Sequence, residues 1–303
     1  MWHRIPPRWR QRWRAWTNEL LQDAADRRGY DLVARSPYSP VPAVPPADSP
    51  EWGPKHSLVG LAFDSGVQLD WLRCHLTPYL GELAGALERP EGGNGFFLKN
   101  GYYAGLDAVL LHAMVRHLKP RRVIEVGAGY STLVLAGACE RNAAFGSPCE
   151  LVSIDPEPRC ELPERLPGLA RVDHRSATEV PLGEYLALGP GDILFVDSSH
   201  TVKRGSEVNF LVLEVLPRLR RGVVVHFHDV FLPFDYPREW FVRGTFLAEQ
   251  YLLHAFLVHN PTYEVIFAAH AVARDHFDML QAIVPCLSPG PPGPAALWLR
   301  RCA

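Results

Sequence analysis

The 303-residue sequence carries six cysteines (Cys74, Cys139, Cys149, Cys160, Cys286 and Cys302), and none stands in a C-x-x-C or other metal-ligand spacing. That excludes a zinc-ribbon type of framework. No stretch approaches the ~20 consecutive apolar residues of a membrane span, so stable membrane insertion is not expected. The opening MWHRIPPRWRQRWRAW is basic and aromatic but lacks the uninterrupted apolar core of a secretory signal. Neither sign of charge dominates: 31 basic against 33 acidic residues give a formal net charge of -2. Whole-molecule electrostatics therefore offers no reason to expect nucleic acid as a partner. There is no internal repeat. On these exclusions the cysteines read as reduced thiols, packed as small apolar groups in a cytoplasmic protein.

What is present is enough apolar material, 47% of residues, to bury a full core. The spacing predicts a helix from about Pro7 to Arg28. The stretch from Ser36 to Pro54 holds seven prolines and cannot be a regular helix or a central strand. Residues 1–55 are thus expected to form a helical and proline-rich arm, a candidate contact between copies in a homo-oligomer. Helical periodicity over Leu69 to Leu87 and Tyr102 to Pro120 makes 56–120 a helical cap. From Arg122 the pattern changes to short β-branched runs separated by helical stretches, the pattern of a parallel sheet wound with helices. The expected strands are 122–127, 150–155, 170–175, 192–197, 222–229, 263–270 and 295–300, in a third region spanning 121–303.

The first strand leads into VIEVGAGYSTLVLAG, Val123 to Gly137. Gly127 and Gly129 fit a tight strand-to-helix turn that admits a ligand close to the backbone. A dinucleotide fingerprint needs a third glycine where Thr132 stands, and the Glu125 carboxylate would repel a pyrophosphate while attracting a cation. Asp155, ending the second strand, is placed to accept hydrogen bonds from ribose hydroxyls, although an acid before Pro156 also suits a helix N-cap. Together these residues describe a nucleoside with a cationic tail rather than a phosphorylated one. In its E-x-G-x-G run the sequence resembles the class I methyltransferases, over roughly Tyr102 to Arg300. The resemblance implies an α/β Rossmann-like fold: a seven-stranded, mostly parallel sheet with an antiparallel last strand. It implies S-adenosyl-L-methionine as cofactor, with Glu125, Gly127, Gly129 and Ser131 at its methionine part, Asp155 at the ribose and Ser176 near the adenine. Tyr102 and Tyr103 fall where relatives cover the cofactor, and packing in the core accounts for them equally well.

FVDSSH (195–200) and HFHDVFLPFDYP (226–237) end the fourth and fifth strands. If those strands are neighbours, about 4.8 Å apart, Asp197 and the His228–Asp229 pair emerge together and can share one ion or substrate. The arrangement resembles metal-dependent O-methyltransferases and cephalosporin-hydroxylase-like proteins, which implies Asp197, Asp229 and His228 as ligands of a divalent metal. Imidazole suits zinc, iron or manganese better than magnesium. His200 is the expected general base, with His226 behind it; the competing expectation is that DSSH caps the next helix. In the loop after the fifth strand Asp235, Tyr236, Arg238 and Trp240 are candidate contacts for a small-molecule acceptor, and so are Glu249 and Gln250 beyond it. The function implied is methyl transfer to a hydroxyl of a small molecule or sugar. A metal-dependent hydroxylase on the same fold and a non-catalytic binding protein are the alternatives.

Overall fold

In a computed structural model, residues 19–34, 36, 38–53, 57–88, 95–160, 162–163, 165–287 and 292–303 are described. The chain forms two units, Met1–Pro45 and Pro46–Ala303. In the first, residues 19–26 are helical and agree with the end of the helix expected there; its beginning lies outside the described residues. Among the described residues of the proline-rich stretch, the regular structure is a 3-10 turn at Pro50–Trp52, in the second unit.

The second unit is built on seven strands: β1 (Arg122–Val126), β2 (Glu150–Ile154), β3 (Arg171–Asp173), β4 (Ile193–Val196), β5 (Val224–Phe227), β6 (Tyr263–Ala268) and β7 (Leu297–Arg301). They lie in the order β3-β2-β1-β4-β5-β7-β6, and β7 runs antiparallel to both of its neighbours. Every expected strand forms, each within two residues of its predicted ends, and the last is the antiparallel one. Strands buried on both faces need apolar residues at every position rather than at alternate ones. ILFV in β4 meets this throughout.

One face of the sheet packs under α1 (Ser65–His75), α2 (Gly105–Leu118) and α3 (Tyr130–Ala144), joining Leu72, Leu110 and Leu135 to Val123, Phe195 and Trp298. The helices expected as a cap therefore share one hydrophobic core with the sheet. The Asp64 carboxylate caps α1 by accepting from the Val67 amide at 3.0 Å. Lys119, in the left-handed region at φ 48°, ends α2 before Pro120. The opposite face packs Ile124, Leu194 and Val225 against the segment 207–218 and α4 (Glu249–Leu257).

Parallel pairing places the carboxyl ends of β1, β2, β4 and β5 on one edge. The register aligns Val126 with Val196 and Val196 with Phe227, so Gly127, Asp197 and His228 follow side by side. Gly127 has φ 97°, and a Cβ there would overlap the carbonyl of Asp197. The glycine is needed because two strand ends meet at this point. Gly127→Ala is expected to destabilise the protein by ~2 kcal/mol or more, from strain at a left-handed position plus the overlap. Urea unfolding of the variant against the parent measures it.

Candidate active site

Side chains two apart on a strand share a face. This puts Glu125, Phe195, His226 and Trp298 in one row across β1, β4, β5 and β7, with Ser153 of β2 continuing it. Asp197 and His228 follow one pleat further along, at the edge. His226 therefore lies beneath the edge rather than on it. It is fully buried, its ring stacks on Phe195 at 4.4 Å, and Trp298 lies 4.5 Å away. Burial holds its imidazole well below its ordinary pKa, so it stays neutral. The structure does not bring it to His200 or to the strand-end carboxylates.

Glu125 is also sealed from solvent. Ser131 Oγ donates to one carboxylate oxygen at 2.7 Å, Thr132 Oγ1 to the other at 2.8 Å, and Ser153 Oγ donates as well. Thr132 Oγ1 accepts from the Gly129 amide at 2.9 Å. The residue that replaces a third glycine thus ties the turn to the buried acid. Asp155 closes the turn from the other side, accepting from the Ala128 amide at 2.7 Å and from Glu157 at 2.8 Å. No helix starts there for it to cap.

Over this edge lies a cavity of about 1050 Å3 lined by Gly127, Gly129, Ser131, Asp155, Ser176, Asp197, His228 and Asp229, among others. Glu125 does not line it. Around a Cβ built at Gly129 no atom lies within 4 Å, so the missing side chain leaves cavity space free there. Tyr102 and Tyr103 are also on the wall; Tyr102 is 67% exposed and stacks on Tyr130 at 5.9 Å. From the loop after β5 only Trp240 of the four candidates reaches the wall. Tyr236 is buried in a satellite core with Phe231, and its hydroxyl accepts from the Gln250 amide at 2.9 Å. Asp235 bonds the Tyr251 hydroxyl, while Arg238 does not border the cavity.

The strand-end cluster differs from expectation in the parts its histidines play. The oxygen and nitrogen atoms of Asp197, His200 and Asp229 lie within 4.8 Å of one another, a set that could hold a metal ion. His200 Nε2 is 3.2 Å from Asp197 and 3.4 Å from Asp229, and its Nδ1 is 2.7 Å from Glu249 Oε2. His200 is absent from the cavity wall, whereas His228 is on it. His228 Nδ1 lies 3.5 Å from Asp197 and 3.4 Å from Asp229, and its Nε2 is 3.4 Å from Asp107. Nor does DSSH cap the next helix: Glu207–Phe210 starts later, and Ser206 caps it. His200 and Asp229 both sit in the left-handed region, at φ 54° and 57°, strain that non-glycine residues carry at functional sites.

The charges are coupled. Burial disfavours the imidazolium of His200, but Glu249, Asp197 and Asp229 outweigh it and push the group up to about 10. Burial works likewise against His228 and is overcome by Asp229 and Asp197. Asp197 is held well below the carboxylate range, its burial outweighed by the two histidines, whereas burial raises Asp229 and Glu249. Glu249 does not touch the cavity and so does not serve as an acceptor contact. Asp107, absent from the sequence expectations, accepts the amides of Ala295 at 2.9 Å and Ala296 at 3.1 Å while facing His228. Its signal is a lone acid in the otherwise apolar run GLDAVLL, which a buried helix keeps only with partners.

Burial pushes Glu125 from its ordinary 4.5 up to about 7, against the three hydroxyls that favour its charge. The folded state then binds this proton more tightly than the unfolded state, so stability falls as pH rises from about 4.5 to about 7 and is level above. Glu125→Gln is expected to remove that slope, which amounts to ~3 kcal/mol at most. Unfolding free energies of both proteins across pH 5 to 8 provide the comparison.

Residues 124–230 match the family model described as a methyltransferase domain. No curated protein matches the sequence. Three solved structures to which the chain is similar are the O-methyltransferase TomG from Streptomyces achromogenes in complex with SAM, CalS11, a TDP-rhamnose 3'-O-methyltransferase, and CmcI-N160 with SAH. TomG is 15% identical over 78% of this chain and 96% of its own, with a TM-score of 0.35. CalS11 is 15% identical over 79% and 97%, at 0.37. CmcI-N160 is 19% identical over 65% and 77%, at 0.36. The domain match falls on β1 to the end of β5, the span that supplies the glycine turn and the strand-end carboxylates, and over that span the chain matches a methyltransferase domain.

Proposed function

We propose that this domain methylates a hydroxyl oxygen of a small molecule or sugar, with a divalent metal held by Asp197, Asp229 and His200. The observation that carries the reading is the convergence of those three side chains at the edge of the cavity that Gly129, Ser131, Asp155 and Ser176 also border. Two carboxylates and an imidazole nitrogen form a donor set suited to a divalent ion. Asp155, with acceptor capacity left beyond its two amide bonds, is placed to hold the ribose hydroxyls. Gly129 and Ser131 border the space for the methionine part, and Ser176 the adenine. Glu125 acts from below, by fixing Ser131 and Thr132.

S-adenosylmethionine, when bound, supplies a methyl group on a good leaving sulfur, and the metal supplies positive charge that makes the acceptor hydroxyl more acidic. The chain's own task is then mainly to align oxygen, carbon and sulfur for an in-line displacement. His228, on the cavity wall, is the histidine that faces the acceptor; with the charges of Asp197 and Asp229 engaged by a divalent ion, its imidazole would give up its extra proton and could take that of the acceptor. His200 faces the two carboxylates from behind. These roles reverse those expected from sequence.

Asp197→Ala is expected to reduce transfer of labelled methyl by a factor of at least ~100, with S-adenosylmethionine affinity kept within tenfold, about 1.4 kcal/mol. If affinity and activity fall together, Asp197 belongs to the cofactor site and the reading is wrong. Chelation should lower methyl transfer, and manganese should restore it. Oxygen-dependent turnover without methyl transfer would instead favour the hydroxylase alternative.

A further inference from the structure

Glu249 is 1% exposed, on the first residue of α4, and lies outside the cavity. One of its carboxylate oxygens, Oε1, is buried with no hydrogen-bond partner; the other meets His200 Nδ1 at 2.7 Å. A buried carboxylate satisfied on one oxygen only is a poor structural element, because its desolvation is not repaid by the fold. The backbone strengthens the same pairing. The His200 carbonyl accepts from the amides of Ala248 at 2.9 Å and Glu249 at 3.1 Å, so the start of α4 grips His200 by main chain and side chain. His200 meets these bonds from a left-handed backbone, a conformation the surroundings must impose.

We infer that Glu249 is a positioning residue that commits His200 Nδ1 as donor and presents Nε2 as a nitrogen ligand, so that the site takes a transition metal such as manganese or zinc in preference to magnesium. The inference rests on the metal reading proposed above and adds to it the ligand's orientation and the class of ion. With Nδ1 bonded to a carboxylate, the proton that an arriving divalent ion displaces is the one on Nε2, which leaves a lone pair on the atom facing Asp197 and Asp229. A carboxylate behind a ligating histidine fixes the ring and raises its basicity as a ligand. Magnesium prefers oxygen donors and retained waters, so a fixed nitrogen selects against it, whereas manganese and zinc accept mixed nitrogen and oxygen sets. Asp197 and Asp229 alone would express no such preference.

The test is calorimetric titration of the metal-free protein with manganese, zinc or magnesium chloride alone, with no cofactor and no turnover. The parent protein is expected to bind manganese and zinc at least tenfold more tightly than magnesium. Glu249→Ala should lose ~10–100-fold in affinity for both transition metals and less than ~threefold for magnesium, narrowing the preference. Glu249→Gln, whose amide oxygen still accepts from Nδ1, should recover most of that loss, and circular dichroism establishes that both variants are folded. A folded Glu249→Ala with unchanged manganese and zinc affinity would overturn the role of Glu249 and leave the metal reading intact. A parent protein that binds magnesium as tightly as manganese would overturn the selectivity. A parent protein that binds none of the three would overturn the metal reading itself.

Discussion

Gly127 lies against the backbone of Asp197, with no room for a side chain between them. That contact joins the two halves of the site. On one side the turn continues through Ala128 and Gly129 into α3; on the other, Asp197 leaves β4 toward the strand-end carboxylates. The Gly127 amide bonds Ile154 and the Asp197 amide bonds Val126, so β2, β1 and β4 end in register with one another. Displacement of the turn would move the carboxylate, and the reverse holds as well. On the proposed reading, the relative position of donor carbon and acceptor atom is the quantity such coupling would fix, and a transfer reaction is sensitive to it.

The polar row beneath the edge gives the turn its stiffness. Glu125 gathers three hydroxyls from two elements, and Thr132 passes the restraint on to the Gly129 amide. Burying a carboxylate in this way is unfavourable by itself, yet it holds a loop that could otherwise follow its ligand. At the other end of the row His226 fills an aromatic pocket and stays neutral. Polar residues on one face of a sheet thus play different parts according to whether they stand at the edge or one pleat below it.

The sheet was legible in the sequence because its strands are short, mainly apolar runs separated by helical stretches, as ILFV lies between Asp192 and Asp197. The neighbouring of β4 and β5, expected from the wound pattern, brings Asp197 and Asp229 together. What the sequence did not reveal depends on contacts made far along the chain. Glu125 read as a ligand of the cofactor because its partners Ser131, Thr132 and Ser153 mark no motif. His200 and His228 both stand near strand-end aspartates, and only the position of Glu249 some fifty residues later determines which one faces inward. His226 differs from His228 by a single pleat, a distinction visible only once register is known. Tyr236 and Gln250 resemble acceptor contacts in composition but satisfy one another within the loop core. Loops rich in aromatics are where sequence distinguishes packing from binding least well.

Asp107 accepts the amides of Ala295 and Ala296 from 188 and 189 residues away while facing His228. This makes the order of assembly matter. A nascent chain that has emerged as far as Asp229 already contains the glycine turn, Asp155, Asp197, His200 and His228, and yet has neither amide to hydrogen-bond the buried acid of α2. Contacts between such distant segments form late, because the loop entropy must be overcome first. The docking of β7 is therefore the step that completes the wall around His228, and a chain part-way through folding holds the chemical groups of the site without its shape.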